Sequence, residues 1–181
     1  MNILFLMADG FEELEFVAPF DYFQRGGVSV TLASISNKLE VVGSHGLPIK
    51  ANVLLNGLDL SKFDGVLLPG GGLGVQNLLN SKAVEEAVCY FNDENKWVFA
   101  ICAAPKVLSK AGILMDRKFT CYPSCEQGLM YREFSEDRVV VDGNFVTSRG
   151  AGTAEEFALI CLAQMMGDAV SEKVRQQTVA R

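Results

Sequence analysis

Cys102 is the residue whose surroundings in the sequence most favour chemistry. It ends an apolar run and is followed by Ala103, Ala104 and Pro105, so a buried strand meets a helix at this cysteine. A tight strand-to-helix turn exposes the side chain at the carboxyl edge of a sheet, where α/β folds bind ligands, and the helix N-terminus favours a thiolate. The pattern predicts a nucleophile; the alternative is a buried cysteine that only packs.

A run of glycines, Gly70 to Gly72, follows another predicted strand. Glycines let backbone N–H groups converge on an anionic oxygen, so this run could form an oxyanion hole together with the N–H of Ala103. A phosphate-binding loop is the competing interpretation, but the sequence contains neither GxGxxG nor GxxxxGK. The third interpretation is a tight turn that binds no ligand.

Acidic residues follow the first predicted strand and reach the same sheet edge. Acids at a helix start usually interact with the helix dipole, and this explanation is sufficient for Glu12 and Glu13. Glu15 differs because Pro19, four residues later, has no N–H to bond the Glu15 carbonyl, so the helix is kinked there or begins nearby. Glu15 could then point towards Cys102. A carboxylate would repel a thiolate, so a working pair requires Glu15 to be protonated, partly buried and of raised pKa.

Apolar strands alternate with helices along the chain, which predicts a mostly parallel sheet covered on both faces. The predicted strands span residues 2–7, 28–35, 63–68, 97–101 and 118–121, with hairpins at 41–49 and 139–147. The predicted helices span residues 12–27, 81–95, 103–111, 153–166 and 169–175. The sequence therefore indicates a single α/β domain over residues 1–181, built as a three-layer sandwich.

Composition excludes several classes of function. The 22 acidic and 16 basic side chains give a net charge of −6, which offers no footprint for nucleic acid or an anionic membrane. No apolar run approaches the about 20 residues of a membrane span. One histidine excludes sites that need two or three imidazoles, so we expect no metal. Five cysteines without a CxxC motif, and a start typical of a strand rather than a signal peptide, indicate a reducing cytoplasm.

Five segments together resemble the ThiJ/PfpI superfamily, in particular its branch of the parkinsonism-associated protein deglycase. They are residues 8–15, 68–72, 98–105, 120–123 and 147–153, and the resemblance extends over about residues 2–170. It implies a flavodoxin-like fold, a homodimer and a site without a cofactor. In that site Cys102 is the reactive, easily oxidised thiol, Glu15 is its protonated partner, and the N–H groups of Gly71 and Ala103 form the oxyanion hole.

Two positions depart from the patterns of related branches. Protease-type members carry a histidine directly after the cysteine, where this chain has Ala103, so a protease triad is not available. The branch that the chain resembles often has a histidine where this chain has Tyr122. Tyr122 could hydrogen-bond near Cys102, but a phenol with a pKa of about 10 is a poor base at neutral pH. General-base catalysis would then fall to Glu15 or to a bound water.

The histidine of this chain, His45, lies in a predicted hairpin turn where relatives often have arginine. The resemblance places this turn across the dimer interface, near Cys102 of the partner subunit and beside Arg25 at the end of the first helix. Two such donors would stabilise an oxidised cysteine or an anionic substrate; the alternative is a turn residue without a role. Apolar residues all around the first helix indicate that this helix forms the dimer interface.

Two functions fit these residues. In the first, Cys102 adds to a small reactive aldehyde such as methylglyoxal, or to its adduct with an amine or thiol, and water completes a cofactor-independent glyoxalase- or deglycase-type conversion. In the second, the protein is a redox sensor or a chaperone-like stress-response protein, in which Cys102 is oxidised to a sulfinate held by Glu15 and nearby donors. Cys121 and Cys125, four residues apart, could be a resolving pair, although ordinary packing explains them as well.

Overall fold

The computed structural model describes residues 1–181 and contains a central sheet of seven strands with two small additional sheets. In chain order its elements are β1 (Asn2–Met7), α1 (Glu13–Arg25), β2 (Ser29–Ser34), β3 (Glu40–Val42), β4 (Pro48–Lys50), β5 (Val53–Leu54), β6 (Gly65–Leu68), α2 (Gly72–Leu79), α3 (Lys82–Asp93), β7 (Trp97–Ile101), α4 (Pro105–Lys110), β8 (Lys118–Phe119), β9 (Glu133–Phe134), β10 (Val139–Asp142), β11 (Phe145–Ser148), α5 (Ala154–Met166) and α6 (Asp168–Thr178). Short 3₁₀ helices at residues 60–62, 113–116 and 151–153 complete the chain.

The order of the strands is that of a flavodoxin-like sheet. It runs β10-β11-β7-β6-β1-β2-β5, and every neighbouring pair is parallel except β10 with β11. The chain direction across the sheet reverses between β1 and β6, which is the switch point where open α/β sheets bind ligands. The turns that follow β1, β6 and β7 therefore meet at one carboxyl edge. Helices cover both faces of the sheet, which confirms the predicted three-layer α/β sandwich.

Each face of the sheet has its own apolar core because side chains alternate along every strand. On β1, Leu4 and Leu6 join one cluster, whereas Ile3, Phe5 and Met7 join the other, and all five are completely buried. Helices α2, α3 and α4 cover the first cluster, and α1 and α5 cover the second. The continuous apolar run of β1 thus reflects burial on two faces.

The interpretation of Gly70 to Gly72 as a turn is only partly right, because α2 begins at Gly72. Helix propensity argues against a helix that contains Gly72 and Gly74. Gly74 is nevertheless required, since a Cβ there would lie 2.7 Å from the carbonyl oxygen of Gly10, and its N–H donates to that oxygen at 3.1 Å. Close packing between the loop after β1 and the start of α2 therefore outweighs propensity.

The other predicted elements differ from the structure mainly at their ends. Helix α3 begins after Ser81, whose side chain accepts from the Val84 N–H at 3.4 Å. Helix α4 begins at Pro105 rather than at Ala103, in keeping with the preference of proline for the first helical turn. Strands β5 and β9, each two residues long, were not predicted. None of the helices has both the length and the apolar character needed to cross a membrane.

Candidate active site

The turn between β7 and α4 holds Cys102 in a strained backbone conformation. Its φ of +65° lies in the left-handed region, which is uncommon for residues other than glycine. Neighbouring segments hold it there: the Cys102 N–H donates to the Ser148 carbonyl at 2.9 Å, and the Tyr122 N–H donates to the Cys102 carbonyl at 2.8 Å. Strain that the surrounding structure imposes on a strand-to-helix turn is typical of nucleophiles in α/β folds. The thiol thus lies at the carboxyl edge of the sheet, where the sequence pattern predicts it.

Glu15 reaches the thiol from the first turn of α1 and is completely buried. Its Oε2 accepts a hydrogen bond from the Gly70 N–H at 2.8 Å. Gly70 lies against both side chains, because a Cβ at that position would be 2.5 Å from Glu15 Oε2 and 3.1 Å from Cys102 Sγ. Helix α1 begins near Glu15, at Glu13, which is one of the two arrangements expected from the sequence. Pro19 lies inside the helix without ending it.

Burial controls the protonation of the Cys102–Glu15 pair. It raises the pKa of Glu15 from 4.5 to about 7, against the opposing effects of Cys102 and the Gly70 N–H. Burial and the Glu15 carboxylate also raise the pKa of the Cys102 thiol, against the opposing N–H groups of Ala103 and Gly71. Two negative charges in this enclosed site are unfavourable, so the pair holds at least one proton at neutral pH. The burial and raised pKa expected for Glu15 are present, but the helix N-terminus does not by itself lower the thiol pKa.

Gly71 and Ala103 line the same cavity as Cys102, and their backbone N–H groups act to lower the pKa of the thiol. Gly71 has a φ of +98°, and a Cβ there would collide with the carbonyl oxygen of Gly10, so this position requires glycine. The Glu12 N–H donates to the Gly70 carbonyl at 3.0 Å and holds the loop after β1 against the loop after β6. An oxyanion hole formed by the Gly71 and Ala103 N–H groups therefore stays a prediction, and both residues lie on the cavity wall that it requires.

A cavity of about 580 Å³ opens beside Cys102. This volume suits a small molecule rather than a polymer. Its lining includes Glu12, Glu15, Gly71, Lys106, Tyr122 and Cys125. Sequence reasoning missed Lys106, which lies in the first turn of α4, the helix that follows Cys102.

Tyr122 borders this cavity and is half exposed, at 52%. Its ring packs against Gly150, where a Cβ would lie 3.2 Å from the Cδ2 atom of the ring. The hydrogen bond between Tyr122 and Cys102 runs through the two backbones. Tyr122 thus forms part of the wall of the cavity, and a hydrogen bond from its phenol near the thiol stays a prediction.

His45 and Arg25 lie at opposite ends of α1 and are not neighbours within the chain. His45 Nδ1 is 2.7 Å from Glu13 Oε2, and the His45 N–H donates to Glu13 Oε1 at 2.6 Å. Arg25 Nε is 2.6 Å from Asp21 Oδ2. Glu13 and Arg25 are separated by about 18 Å of helix. Within one chain each of the two side chains therefore contacts an acidic residue, and the expected position near Cys102 of the partner subunit stays a prediction.

Glu12, Glu13 and His45 form a surface cluster whose ligand atoms lie within 4.8 Å of one another. Sequence reasoning missed this cluster because the hairpin and the helix are distant in the chain. Although partial burial acts in the opposite direction, hydrogen bonds from His45 and Ser44 lower the pKa of Glu13 to about 2. Both carboxylate oxygens of Glu13 thus already accept hydrogen bonds, and the cluster attaches the β3–β4 hairpin to α1.

The four other cysteines are free thiols in different surroundings. Cys121 and Cys161 are completely buried, whereas Cys89 is partly buried on α3. Cys125 is the one among the four that lines the cavity of Cys102.

These features define a flavodoxin-like protein with a cysteine at a strand-to-helix turn, and the chain belongs to the DJ-1/PfpI family, whose model matches residues 1–164. The Parkinson disease protein 7 homolog of Danio rerio is 38% identical over 184 residues, which cover 98% of this chain and 96% of the relative. The deglycase PfpI of Pyrococcus furiosus is 37% identical over 154 residues, which cover 84% of this chain and 92% of the relative. The structure of oxidized Toxoplasma gondii DJ-1 matches with a TM-score of 0.93 at 30% identity, covering 98% of this chain and 97% of that chain. The resemblance inferred from the motifs is confirmed.

Proposed function

We propose that this protein is a cysteine-dependent, cofactor-independent enzyme that detoxifies small reactive carbonyl compounds such as methylglyoxal, or their adducts with amines and thiols. The observation that carries the proposal is that a buried carboxyl group of raised pKa and two backbone N–H donors surround one thiol in a cavity of about 580 Å³. Addition of a thiol to an aldehyde requires a nucleophile, a proton donor and a site for the oxygen, and the cavity offers one of each. Two relatives that carry the name deglycase support this class of substrate.

The first step is addition of the Cys102 thiolate, present when the shared proton resides on Glu15, to the aldehyde carbon. The new S–C bond places negative charge on the former carbonyl oxygen, which accepts hydrogen bonds from the N–H groups of Gly71 and Ala103. Glu15, protonated at the start, donates its proton to this oxygen and becomes a carboxylate. The product is a neutral hemithioacetal beside an ionised Glu15.

In the second step the same carboxylate acts as a base. Glu15 removes the proton from the hemithioacetal carbon and returns it to the neighbouring ketone carbon, while the hydroxyl proton moves to the former ketone oxygen. A lactate thioester on Cys102 is the result. Water hydrolyses the thioester, releasing lactate and restoring the thiol. Methylglyoxal and water are the only reactants, so the reaction requires no oxidant, reductant or cofactor. A pKa of about 7 suits Glu15 to both roles.

Lactate formation from methylglyoxal tests this proposal. We expect Cys102→Ser to react no faster than buffer, and Glu15→Gln to lose about a hundred- to ten-thousandfold in kcat/KM, the usual contribution of a general acid–base group. Cys89→Ser, which removes a thiol outside the cavity, is the matched control and should retain the wild-type rate. Equal consumption of methylglyoxal by the wild type and Cys102→Ser would refute the proposal.

A redox-sensing role for Cys102 is the second candidate function. The observation that favours it is the match to an oxidized DJ-1 structure, together with the access of Cys102 to a cavity. Graded peroxide followed by intact mass tests this role. Addition of two oxygens confined to Cys102, without turnover of methylglyoxal, would support sensing alone; oxidation spread over all five cysteines would exclude it.

We further propose that the protein is a homodimer formed through α1 and that it acts in the cytoplasm. Leu14 and Val17 on this helix are 59% and 43% exposed although both are apolar, which supports a covered face. The five cysteines are free, which supports a reducing compartment.

A further inference from the structure

Cys125 shares a cavity with Cys102, and the carbonyl mechanism does not use it. Both thiols line the cavity of about 580 Å³. Cys125 is partly buried, so its thiol is sheltered yet has access to the space in which Cys102 reacts. A second thiol at this place needs its own explanation.

Two backbone hydrogen bonds connect the two cysteines through Tyr122. The Tyr122 N–H donates to the Cys102 carbonyl at 2.8 Å, and the Cys125 N–H donates to the Tyr122 carbonyl at 2.9 Å. The second bond closes a four-residue turn, whose ends lie within about 7 Å of each other. The turn thus keeps Cys125 near the nucleophile instead of leading the chain away from it.

The other three cysteines are poorly placed to react with Cys102. Cys161 is completely buried on α5, and Cys89 lies on α3 outside the cavity. Cys121 is also completely buried, and it does not line the cavity of Cys102. Cys125 alone combines access to the cavity with a connection to Cys102.

We propose that Cys125 is the resolving thiol of a hydroperoxide-reducing activity centred on Cys102. This role rests on the reactivity that the proposed function assigns to Cys102. The Cys102 thiolate takes the outer oxygen of a hydroperoxide, so an S–O bond forms, the O–O bond breaks, and an alcohol or water leaves after taking up one proton.

The Cys125 sulfur then attacks the sulfenic acid on Cys102. An S–S bond forms, the S–O bond breaks, and the hydroxyl leaves as water with the proton of Cys125. A dithiol reductant supplies the two electrons and two protons that restore both thiols. The peroxide is the oxidant, and the dithiol is oxidised to its disulfide, so the cycle balances.

The segment that carries Cys125 is suited to the closure that a disulfide requires. A disulfide brings the two Cα atoms to about 4.4–6.8 Å. Residues 120–132, between β8 and β9, contain no helix or strand, and Tyr122, Pro123 and Ser124 are exposed. Exposed segments without regular structure rearrange at low cost in free energy. The turn can therefore close over Cys102 without disturbing the sheet.

Peptide mapping after peroxide treatment tests the proposal. Trypsin cleavage after lysine and arginine leaves Cys102 in residues 97–106, and both Cys121 and Cys125 in residues 119–132. The reduced protein is treated with an equimolar amount of hydrogen peroxide, and the remaining thiols are blocked with N-ethylmaleimide. We expect a cross-link between the two peptides that fragmentation locates at Cys125 and that dithiothreitol reverses.

Substitution of Cys125 gives the sharper result. Cys125→Ser should abolish the cross-link and raise the fraction of Cys102 sulfinate at least about tenfold at the same dose, because the sulfenic acid then reacts only with more peroxide. Cys125→Ala should behave in the same way, and circular dichroism verifies that both variants fold. Cys89→Ser is the matched control and should keep the cross-link.

Two outcomes overturn the resolving role and leave the carbonyl activity standing. One is a disulfide confined to residues 119–132; the other is Cys102 sulfinate in the wild type with Cys125 still alkylated. A Cys102 that reacts with neither peroxide nor methylglyoxal overturns the proposed function together with this role, so the two failures can be told apart.

Discussion

Replacing Glu15 with glutamine should remove a pH-dependent loss of stability. Burial raises the Glu15 pKa from 4.5 to about 7. Below pH 4.5 the folded and unfolded chains both hold the proton, so the protonated carboxyl makes its full contribution to the unfolding free energy. The unfolded chain releases its proton first as the pH rises. The contribution is therefore lost as the pH rises through 7. At about 1.4 kcal/mol per tenfold change in proton affinity, the complete loss is about 3 kcal/mol. Glutamine keeps an acceptor for the Gly70 N–H and cannot ionise.

Urea unfolding between pH 5 and pH 8 measures this difference. Relative to Glu15→Gln, the wild type should lose about 2 to 3 kcal/mol of unfolding free energy over this range. The same substitution at the exposed Glu136 is the control and should follow the wild-type profile. Parallel profiles for the wild type and Glu15→Gln would refute the reasoning, because a carboxyl that titrates near its ordinary pKa cannot be the protonated partner of Cys102.

Two further substitutions test the packing of the site and the proposed dimer. Gly70→Ala would place a Cβ 2.6 Å from Cys102 Cβ, so it should cost about 1 to 3 kcal/mol in urea unfolding and abolish methylglyoxal turnover. Gly72→Ala, whose Cβ would meet no atom within 4 Å, should leave both intact, and equal damage from the two variants would contradict the steric argument. Leu14→Glu should raise the Kd of the dimer by about a hundred- to ten-thousandfold, because each copy loses about 1.5 to 3 kcal/mol of apolar burial. Analytical ultracentrifugation measures this shift. Met115→Glu, which changes an apolar side chain that is 56% exposed, is the control and should leave the dimer unchanged. A Leu14→Glu variant that stays dimeric would exclude α1 as the interface.

Local sequence was sufficient to predict the sheet and the strand-to-helix turn. The buried run of β7 followed by small residues and Pro105 requires a strand, a turn and a helix in immediate succession, so the position of Cys102 follows from its neighbours. Helix α2 was missed because Gly72 and Gly74 oppose helix formation locally. The contact that favours this helix involves Gly10, more than sixty residues earlier in the chain.

The sequence by itself determined the α/β class, the nucleophile candidate and the absence of a second histidine. The tertiary structure decided how acidic Glu15 is, which thiol lies in the cavity of Cys102, and that His45 and Arg25 are separated within the chain. The physical reason is that strand and helix patterns depend on residues a few positions apart, whereas pKa and access depend on which distant segments exclude water. Glu15 shows this dependence on distant segments directly, because it accepts a hydrogen bond from the N–H of Gly70, 55 residues away.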